Sequence, residues 1–324
     1  MAEITILEAI RMALEQEMER NPDIVILGED VGPNGGVFRA TQGLVEKFGE
    51  DRVLDTPLNE SGIIGFASGM ALNGLKPVPE IQFADFIFPA MDQIISEVAK
   101  FRYRSAGQFT NAMVIRTPYG GGVRGSHYHS QSPEAYFAHT PGIKIVIPSN
   151  PYDAKGLLIS SLRSNDPVLF MEPKRIYRAF KEEVPEGDYT VPLSKGNVIR
   201  NGSDVTIVSY GSMVYIALDG AELASREGID CEVIDLRTVN PLDIDIIESS
   251  VTKTGRFVSV TESPKTSGFG AELSALIAER WIEYMEGPIV RVTGYDTPFP
   301  FKLEKYYMPS PERVLEGVKK AYKF

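Results

Sequence analysis

Residues 59–83 read NESGIIGFASGMALNGLKPVPEIQF and contain the pattern that the rest of the chain repeats. The small and apolar residues over 59–75 predict a helix with Asn59 or Ser61 as its cap. The apolar run over 76–83 is typical of a strand that is buried on both faces. A helix followed directly by such a strand predicts one unit of an α/β fold.

The same alternation continues on both sides of this stretch. In the first half, strands are predicted at 23–30, 112–118, 143–149 and 167–173, and helices at the N-terminus, 89–104 and 151–164. In the second half, DVTIVSYG, CEVIDLRT, RFVSVTES and PIVRVTG predict strands, with helices near 212–227, 243–251 and 270–285 and a last helix at the end. Strands that alternate with helices of this length predict parallel sheets covered on both faces.

The alternation stops between about 180 and 200, where FKEEVPEGDYTVPLSKGN carries two prolines, two glycines and mixed charge. Such a stretch is typical of a loop between domains. A chain of 324 residues also predicts two domains. The best candidate for the domain boundary is therefore this stretch.

The composition is that of a globular protein, with 43% hydrophobic and 24% charged residues. A net charge of −11 and a pI near 5.0 argue against nucleic acid or an anionic membrane as a partner. The single cysteine, Cys231, excludes an internal disulfide and fits a reducing compartment. Glu3 and Glu8 lie where a signal peptide needs an apolar core, and the mostly apolar stretch 62–75 is too short to cross a bilayer. We therefore expect a soluble, cytoplasmic protein.

Two of the three histidines, His127 and His129, lie in HYHSQS over 127–132, and His139 follows ten residues later. A metal site is disfavoured because the third histidine is distant and no cysteine is near. A nucleophilic serine is disfavoured because no G-x-S-x-G motif is present. These residues alone leave two interpretations open, acid–base catalysis by a histidine and a solvated polar loop.

Two glycine-rich stretches, YGGGVRG over 119–125 and SGFGAE over 267–272, raise the question of phosphate binding. No helix follows the first directly, and the second lacks the third glycine of the dinucleotide fingerprint. A Walker A motif is absent from the chain. These features disfavour a nicotinamide oxidoreductase and favour turns in both stretches.

Glu60 and a set of aromatic residues are further candidates for a functional site. Glu60 opens the helix in LDTPLNESG, where partial desolvation would suit proton exchange near neutral pH, although an acid at a helix N-terminus is also favourable by itself. Phe83, Phe86 and Phe88 in EIQFADFIF have the spacing i, i+3 and i+5. They predict either core packing or a ring that stacks on a flat cofactor.

Six stretches carry a family resemblance: ILGEDVGPNGGVFRAT, DTPLNESGI, PVPEIQFADFIFPAMDQI, HSQSPEAYFAHTPGIKIVIPSNPYDAKGLL, EVIDLRTVNPLD and GYDTPFPF. Over essentially its full length, the chain resembles the beta subunit of the thiamine-diphosphate-dependent 2-oxo acid dehydrogenases. HSQSPEAYFAH and GYDTPFPF resemble the branched-chain enzyme more than the pyruvate enzyme. The resemblance implies a pyrimidine-binding parallel-sheet domain over 1–185, a linker over 186–200 and a transketolase C-terminal-type α/β domain over 201–324.

The resemblance also implies roles for individual residues. Glu60 matches the glutamate that hydrogen-bonds the ring nitrogen of the cofactor's aminopyrimidine, and Phe86 matches the aromatic residue that packs on that ring. His129 matches the histidine that serves proton transfer around the decarboxylated intermediate and the incoming lipoyl group. Glu29 matches an acid of a water-filled tunnel between two active sites. Pro89 stands where some relatives carry a further acid, which argues against a complete acidic relay in this chain.

The resemblance further implies partners and ions. The chain lacks the GDG motif that holds Mg²⁺ and the diphosphate of thiamine diphosphate, which implies an alpha subunit that supplies them and an assembly of two alpha and two beta subunits. A lipoyl-bearing dihydrolipoyl acyltransferase would accept the acyl group. A structural K⁺ is implied at the backbone carbonyls of Met113, Ser161, Ser164 and Asp166.

The implied activity is the oxidative decarboxylation of branched-chain 2-oxo acids with reductive acylation of the lipoyl group. Two alternatives stay open at this point: the beta subunit of pyruvate dehydrogenase, and a catalytically silent docking subunit. The presence of Glu60, Phe86 and His129 together argues against the silent subunit.

Overall fold

The computed structural model describes residues 1–324, which separate into two units. The first unit contains residues 1–119 and 136–193, and the second contains residues 120–135 and 194–324. Both are α/β, which confirms the predicted fold class. The boundary at 193 falls within the predicted linker, whereas the assignment of 120–135 to the second unit has no counterpart in the sequence pattern.

The first unit is built on a parallel sheet. Its strands are β1 (Ala2–Ile4), β2 (Ile24–Gly28), β3 (Val53–Asp55), β4 (Lys76–Glu80), β5 (Val114–Tyr119), β6 (Lys144–Val146), β7 (Val168–Pro173) and β8 (Glu182–Val184). Strands β2 to β7 pair in the order β6–β7–β5–β4–β2–β3, and these pairings are parallel. Every residue of β2, β5 and β7 is buried, as expected for strands with both faces covered. β1 pairs with β8 in an antiparallel ribbon.

The helices of this part of the chain are α1 (Ile6–Arg20), α2 (Leu44–Phe48), α3 (Glu60–Leu72), α4 (Phe101–Arg104), α5 (Glu134–Ala138) and α6 (Pro151–Leu162). Helix α1 begins with a capping box in which Thr5 and Glu8 satisfy each other's backbone N–H groups. Of the two predicted caps of α3, Asn59 is the one used, because its side chain accepts a hydrogen bond from the Gly62 N–H at 3.0 Å.

The structure differs from the single helix predicted over 89–104. Short 3₁₀ turns at Ala84–Phe86 and Phe88–Ala90 are followed by a π-helical segment, Gln93–Val98, and then by α4. The Ala99 N–H donates to the carbonyl of Ile94, five residues earlier, at 3.0 Å. The apolar spacing of Ile94 and Val98 is the same as in an α-helix, so the sequence pattern does not reveal the wider turn.

The second unit contains six strands, five of which form one sheet. Its strands are β9 (Asn197–Arg200), β10 (Val205–Ser209), β11 (Cys231–Asp235), β12 (Thr238–Asn240), β13 (Phe257–Val260) and β14 (Val290–Val292). Its sheet order is β14–β13–β10–β11–β9, parallel except for β9. The helices are α7 (Met213–Arg226), α8 (Ile244–Thr254), α9 (Phe269–Arg280), α10 (Glu304–Tyr307) and α11 (Pro311–Tyr322). None of the helices in the structure combines the length and the apolar character needed to cross a bilayer.

A buried ion cluster lies towards the carboxyl ends of three neighbouring strands of the first unit. Arg116 in β5 donates to Glu172 in β7 at 2.7 Å and to Glu80 in β4 at 2.8 Å, and Tyr177 also donates to Glu172. Arg116, Glu80 and Glu172 are each at most 4% exposed. Burial raises the pKa of Glu80, while the positive charge of Arg116 acts in the opposite direction. The cluster therefore stays stable only with its guanidinium in place.

Replacement of this guanidinium tests that dependence. We expect Arg116→Met to lower the free energy of unfolding by about 3–5 kcal/mol, because two carboxylates lose their buried partner. The pKa of Glu80 would then rise further in the folded state, so the folded chain would bind protons more tightly than the unfolded chain and lose stability as the pH rises. Urea unfolding at pH 5 and pH 8 measures this, and a loss of stability that is the same at both pH values would contradict it.

Candidate active site

Glu60 is the first residue of α3, as predicted, and its side chain is half-buried. The helix behind it buries Ile63, Ile64 and Ala67, so its carboxylate lies at the boundary between solvent and an apolar helix. The helix N-terminus favours the negative charge at this position. This geometry is compatible with both interpretations of Glu60, a proton-exchanging acid and a favourable helix charge.

Glu29 follows β2 directly and is also half-buried. Burial raises the pKa of Glu29, and the negative charges of Glu60 and Asp30 raise it further. An electrostatic effect of Glu60 on Glu29 requires the two carboxylates to lie near one another. Glu60 therefore lies within electrostatic reach of Glu29, although the two acids are 31 positions apart in the sequence (60 − 29).

Phe86 lies at the end of a 3₁₀ turn and is half-buried. Its ring meets Phe83 edge-on with a centroid distance of 5.8 Å, and Phe83 meets Phe38 edge-on at 5.5 Å. The ammonium group of Lys174 lies 5.6 Å from the centroid of the Phe83 ring. The turn is thus held by aromatic contacts, while part of the Phe86 side chain stays accessible.

The three histidines are divided between the two units of the structure. His127 and His129 belong to the second unit, whereas His139 belongs to the first, and His127 and His139 are exposed. The side chain of His129 is half-buried, and its backbone N–H donates to the carbonyl of Ser126 at 3.3 Å. The ring of His127 lies against Tyr128 with a centroid distance of 4.0 Å. No group of three His, Cys, Asp or Glu side chains in the structure could hold a metal ion.

Two buried acids of the second unit, Glu134 and Glu262, were missed at the sequence level. Glu134 accepts a hydrogen bond from the hydroxyl of Tyr210 at 2.8 Å, and Glu262 accepts one from Ser212 at 2.9 Å. Burial raises the pKa of Glu134 to about 7. Glu134 begins α5, and an acid at a helix start has the same sequence signal whether it is solvated or buried.

Comparison with known proteins decides the family. The model of the transketolase pyrimidine-binding domain matches residues 2–179, and that of the transketolase C-terminal domain matches residues 194–314. The mitochondrial 2-oxoisovalerate dehydrogenase subunit beta of Dictyostelium discoideum is 52% identical, over 98% of this chain and 86% of that protein. The chain belongs to the family of thiamine-diphosphate-dependent 2-oxo acid dehydrogenase beta subunits.

Other members of this family have a sequence identity of about 50% to this chain. The pyruvate dehydrogenase E1 component subunit beta of Bacillus subtilis is 50% identical over the full length of both chains. The 2-oxoisovalerate dehydrogenase subunit beta of the same organism is 49% identical, again over the full length of both chains. A solved split gene transketolase, described as an inactive beta4 tetramer, has a TM-score of 0.80 at 23% identity over 99% of both chains. That structure supports the fold alone.

The first unit of this beta subunit fits the pyrimidine end of thiamine diphosphate. Glu60 offers a half-buried carboxylate that can accept or donate a proton at a ring nitrogen, and Phe86 offers an aromatic face. Glu29 lies near enough to Glu60 for the charge of Glu60 to raise its pKa. The predicted roles of these residues at the aminopyrimidine are compatible with this chemistry and stay predictions.

The carbonyls implied as potassium ligands are already engaged in hydrogen bonds. The Met113 carbonyl accepts from Val168 N–H at 3.0 Å, and the Ser161 carbonyl accepts from Ser164 N–H at 3.1 Å. The Asp166 carbonyl accepts from the Ser164 hydroxyl at 3.1 Å. A carbonyl oxygen has a second lone pair, so these bonds do not prevent ligation.

Two lysines add positive charge at the same turn. The ammonium group of Lys76 lies 3.4 Å from the carbonyl oxygens of both Leu162 and Ser164. Lys144 lies 3.0 Å from the Ser164 hydroxyl and 3.4 Å from the Asp166 carboxylate. A K⁺ ion at this turn would have to share the Ser164 carbonyl with the ammonium group of Lys76, and the potassium site stays a prediction.

The proximity of Glu29 and Glu60 can be tested by titration. We expect Glu60→Gln to lower the pKa of Glu29, because it removes a nearby negative charge, while burial still keeps that pKa above its usual value. Carbon NMR of labelled glutamate side chains measures the shift, with Glu46→Gln, an exposed acid in the first turn of α2, as the control. An unchanged Glu29 titration would place the two carboxylates too far apart to form one site.

Proposed function

We propose that this chain is the beta subunit of a branched-chain 2-oxo acid dehydrogenase that acts on 3-methyl-2-oxobutanoate and related acids. The reaction breaks the bond between the carboxyl and carbonyl carbons and releases carbon dioxide. The remaining acyl group then forms a thioester with one sulfur of a lipoyl group as the lipoyl disulfide is reduced. The observation that carries the proposal is the half-buried carboxylate of Glu60 at the start of α3, near enough to Glu29 to raise its pKa, in a chain 52% identical to a named member of the family.

Thiamine diphosphate, when bound, supplies a carbon nucleophile and an electron sink. Glu60 would exchange a proton with the ring nitrogen of the aminopyrimidine, and Phe86 would pack on its face. Glu29, whose pKa is raised, would place a second acid near this one. His129, which belongs to the second unit, would move a proton when the lipoyl group takes up the acyl group.

The proposal includes an alpha subunit in an assembly of two alpha and two beta subunits. Support comes from the missing GDG motif, since Mg²⁺ and the diphosphate need ligands that this sequence does not offer in the usual form. A lipoyl-bearing dihydrolipoyl acyltransferase would be the second partner. A potassium site at the backbone carbonyls of Met113, Ser161, Ser164 and Asp166 is part of the proposal. Cytoplasmic placement is also part of it, although the relatives from Dictyostelium discoideum and Arabidopsis thaliana are mitochondrial by name.

Pyruvate is the second candidate substrate. The pyruvate and 2-oxoisovalerate subunits of Bacillus subtilis differ by only one percentage point in identity to this chain, at 50% and 49%. The motifs HSQSPEAYFAH and GYDTPFPF favour the branched-chain enzyme. The substrate therefore has to be decided by an assay of the complete enzyme.

The assay uses this chain co-expressed with its presumed alpha partner. The complex receives thiamine diphosphate, Mg²⁺, an artificial electron acceptor and either 3-methyl-2-oxobutanoate or pyruvate. We expect turnover only from the pair of subunits and a higher kcat/KM for the branched-chain acid. Preference for pyruvate would replace the first candidate by the second. A stable complex that is inactive with both acids would favour a silent docking subunit.

Glu60→Gln separates the two interpretations of this residue. A glutamine at this position keeps its size but cannot exchange the proton, so turnover should fall by about 10²–10⁴-fold with the complex still assembled. Glu46→Gln removes a comparable acid from the first turn of another helix and should leave turnover unchanged. Size-exclusion chromatography verifies assembly, and wild-type turnover in Glu60→Gln would discard the mechanism.

His129 and His127 form a matched pair within one loop. We expect His129→Ala to slow the reductive acylation of a lipoyl domain by about 10²-fold or more, since a proton-transfer group is lost. His127→Ala, at an exposed position two residues away, should keep the wild-type rate. Rapid-quench measurement of acylated lipoyl domain gives both rates, and equal rates in the two variants would argue against a special role of His129.

A further inference from the structure

The segment that carries His129 is defined here as the histidine loop, residues 120–135, and it belongs to the second unit. The Gly120 N–H donates to the carbonyl of Gln131 at 3.0 Å and closes the loop near its base. Within the loop, the Gly125 N–H donates to the Ser130 hydroxyl at 3.2 Å. Apart from a 3₁₀ turn and the start of α5, the loop has no regular secondary structure. Its backbone N–H and carbonyl groups therefore need hydrogen-bond partners outside the loop.

Two carboxylates of the second unit supply such partners. The Gly121 N–H donates to Glu262 at 2.6 Å, and the Arg124 N–H donates to Glu304 at 2.9 Å. Glu262 follows β13 closely, and Glu304 is the first residue of α10. Hydrogen bonds to an ionised carboxylate are about twice as strong as those between neutral groups.

Both carboxylates are shielded from water, with Glu262 3% exposed and Glu304 9% exposed. The other oxygen of Glu262 accepts from the Ser212 hydroxyl at 2.9 Å, directly before α7. Glu134, at the far end of the loop, is buried and accepts from Tyr210 at 2.8 Å. Because water cannot easily replace these bonds, the loop is anchored at three places along its length.

Steric contacts favour glycine at positions 120 and 121, which form the base of the histidine loop. A Cβ atom at Gly120 would lie 2.8 Å from a carboxylate oxygen of Glu262, and Gly120 has a φ of +84°. A Cβ atom at Gly121 would lie 2.7 Å from the ring of Phe299 and 2.8 Å from the sulfur of Met308. The backbone therefore approaches the second unit as closely as glycine permits.

We propose that Glu262 and Glu304 are positioning residues that hold the histidine loop in the conformation in which His129 meets the acyl group and the lipoyl group. They act on His129 through the loop backbone and do not touch the reacting atoms. The inference rests on the proposed function of His129. A purely structural role of the two acids would instead affect stability without a selective effect on acyl transfer.

Glu304→Ala is the main test, because Glu304 is the less buried of the two acids. We expect amide hydrogen exchange in a peptide covering 120–135 to become at least about tenfold faster in the purified full chain, as expected for loss of a hydrogen bond to a charged group. Glu304→Gln keeps an acceptor oxygen and should stay close to the wild type. Glu279→Ala, at an exposed position on α9, should leave the peptide unchanged. Unchanged exchange in Glu304→Ala would overturn the proposal.

The second measurement is reductive acylation of a lipoyl domain by the complex with the alpha subunit. We expect Glu304→Ala to lower kcat by about tenfold at an unchanged KM for the lipoyl domain, and Glu304→Gln to restore most of the rate. Suppose that His129→Ala acylates the lipoyl domain slowly. Faster amide exchange in Glu304→Ala together with a wild-type acylation rate would then overturn the positioning role of Glu304. Normal acylation in both Glu304→Ala and His129→Ala would overturn the proposed function of His129 itself.

Discussion

Parallel pairing of β2, β4, β5 and β7 is the constraint on which the first unit depends. Because parallel strands all end at the same edge of the sheet, Glu29 after β2, Glu80 in β4, Arg116 in β5 and Glu172 in β7 are brought towards one edge. This edge is where open α/β sheets bind their ligands. The same pairing that buries the backbone therefore also concentrates ionisable groups, and Arg116 is the cation that makes their burial tolerable.

Strands such as β2, β5 and β7 were predictable because burial on both faces leaves an unmistakable apolar run in each of them. Glu60 was predictable as a helix start because the residues after it change abruptly to small and apolar types. The π-helical segment Gln93–Val98 was not predictable, since its i to i+5 bond leaves the apolar spacing unchanged. The burial of Glu134 and Glu262 was also hidden, because it depends on partners such as Tyr210 and Ser212 that are distant in sequence.

Substrate choice lies beyond what overall similarity can decide. Identity over a full chain mainly reflects the cores of the two units, which two enzymes of different substrate preference share. Discrimination between a branched and an unbranched side chain needs only a few pocket contacts, since one methylene group changes binding by about 1–3 kcal/mol. The nearly equal similarity of this chain to the two Bacillus subtilis subunits therefore does not select one substrate.

The histidine loop makes the second unit discontinuous along the chain. Arg124 precedes its partner Glu304 by 180 positions, and Gly121 precedes Glu262 by 141. During synthesis on the ribosome, the loop emerges long before the helices and strands that hold it, so it stays without these partners until nearly the whole polypeptide has been made. A ribosome that stops early, or a gene truncated before β13, yields a chain that contains every residue of the pyrimidine-binding part and still lacks both carboxylates that hold the histidine loop.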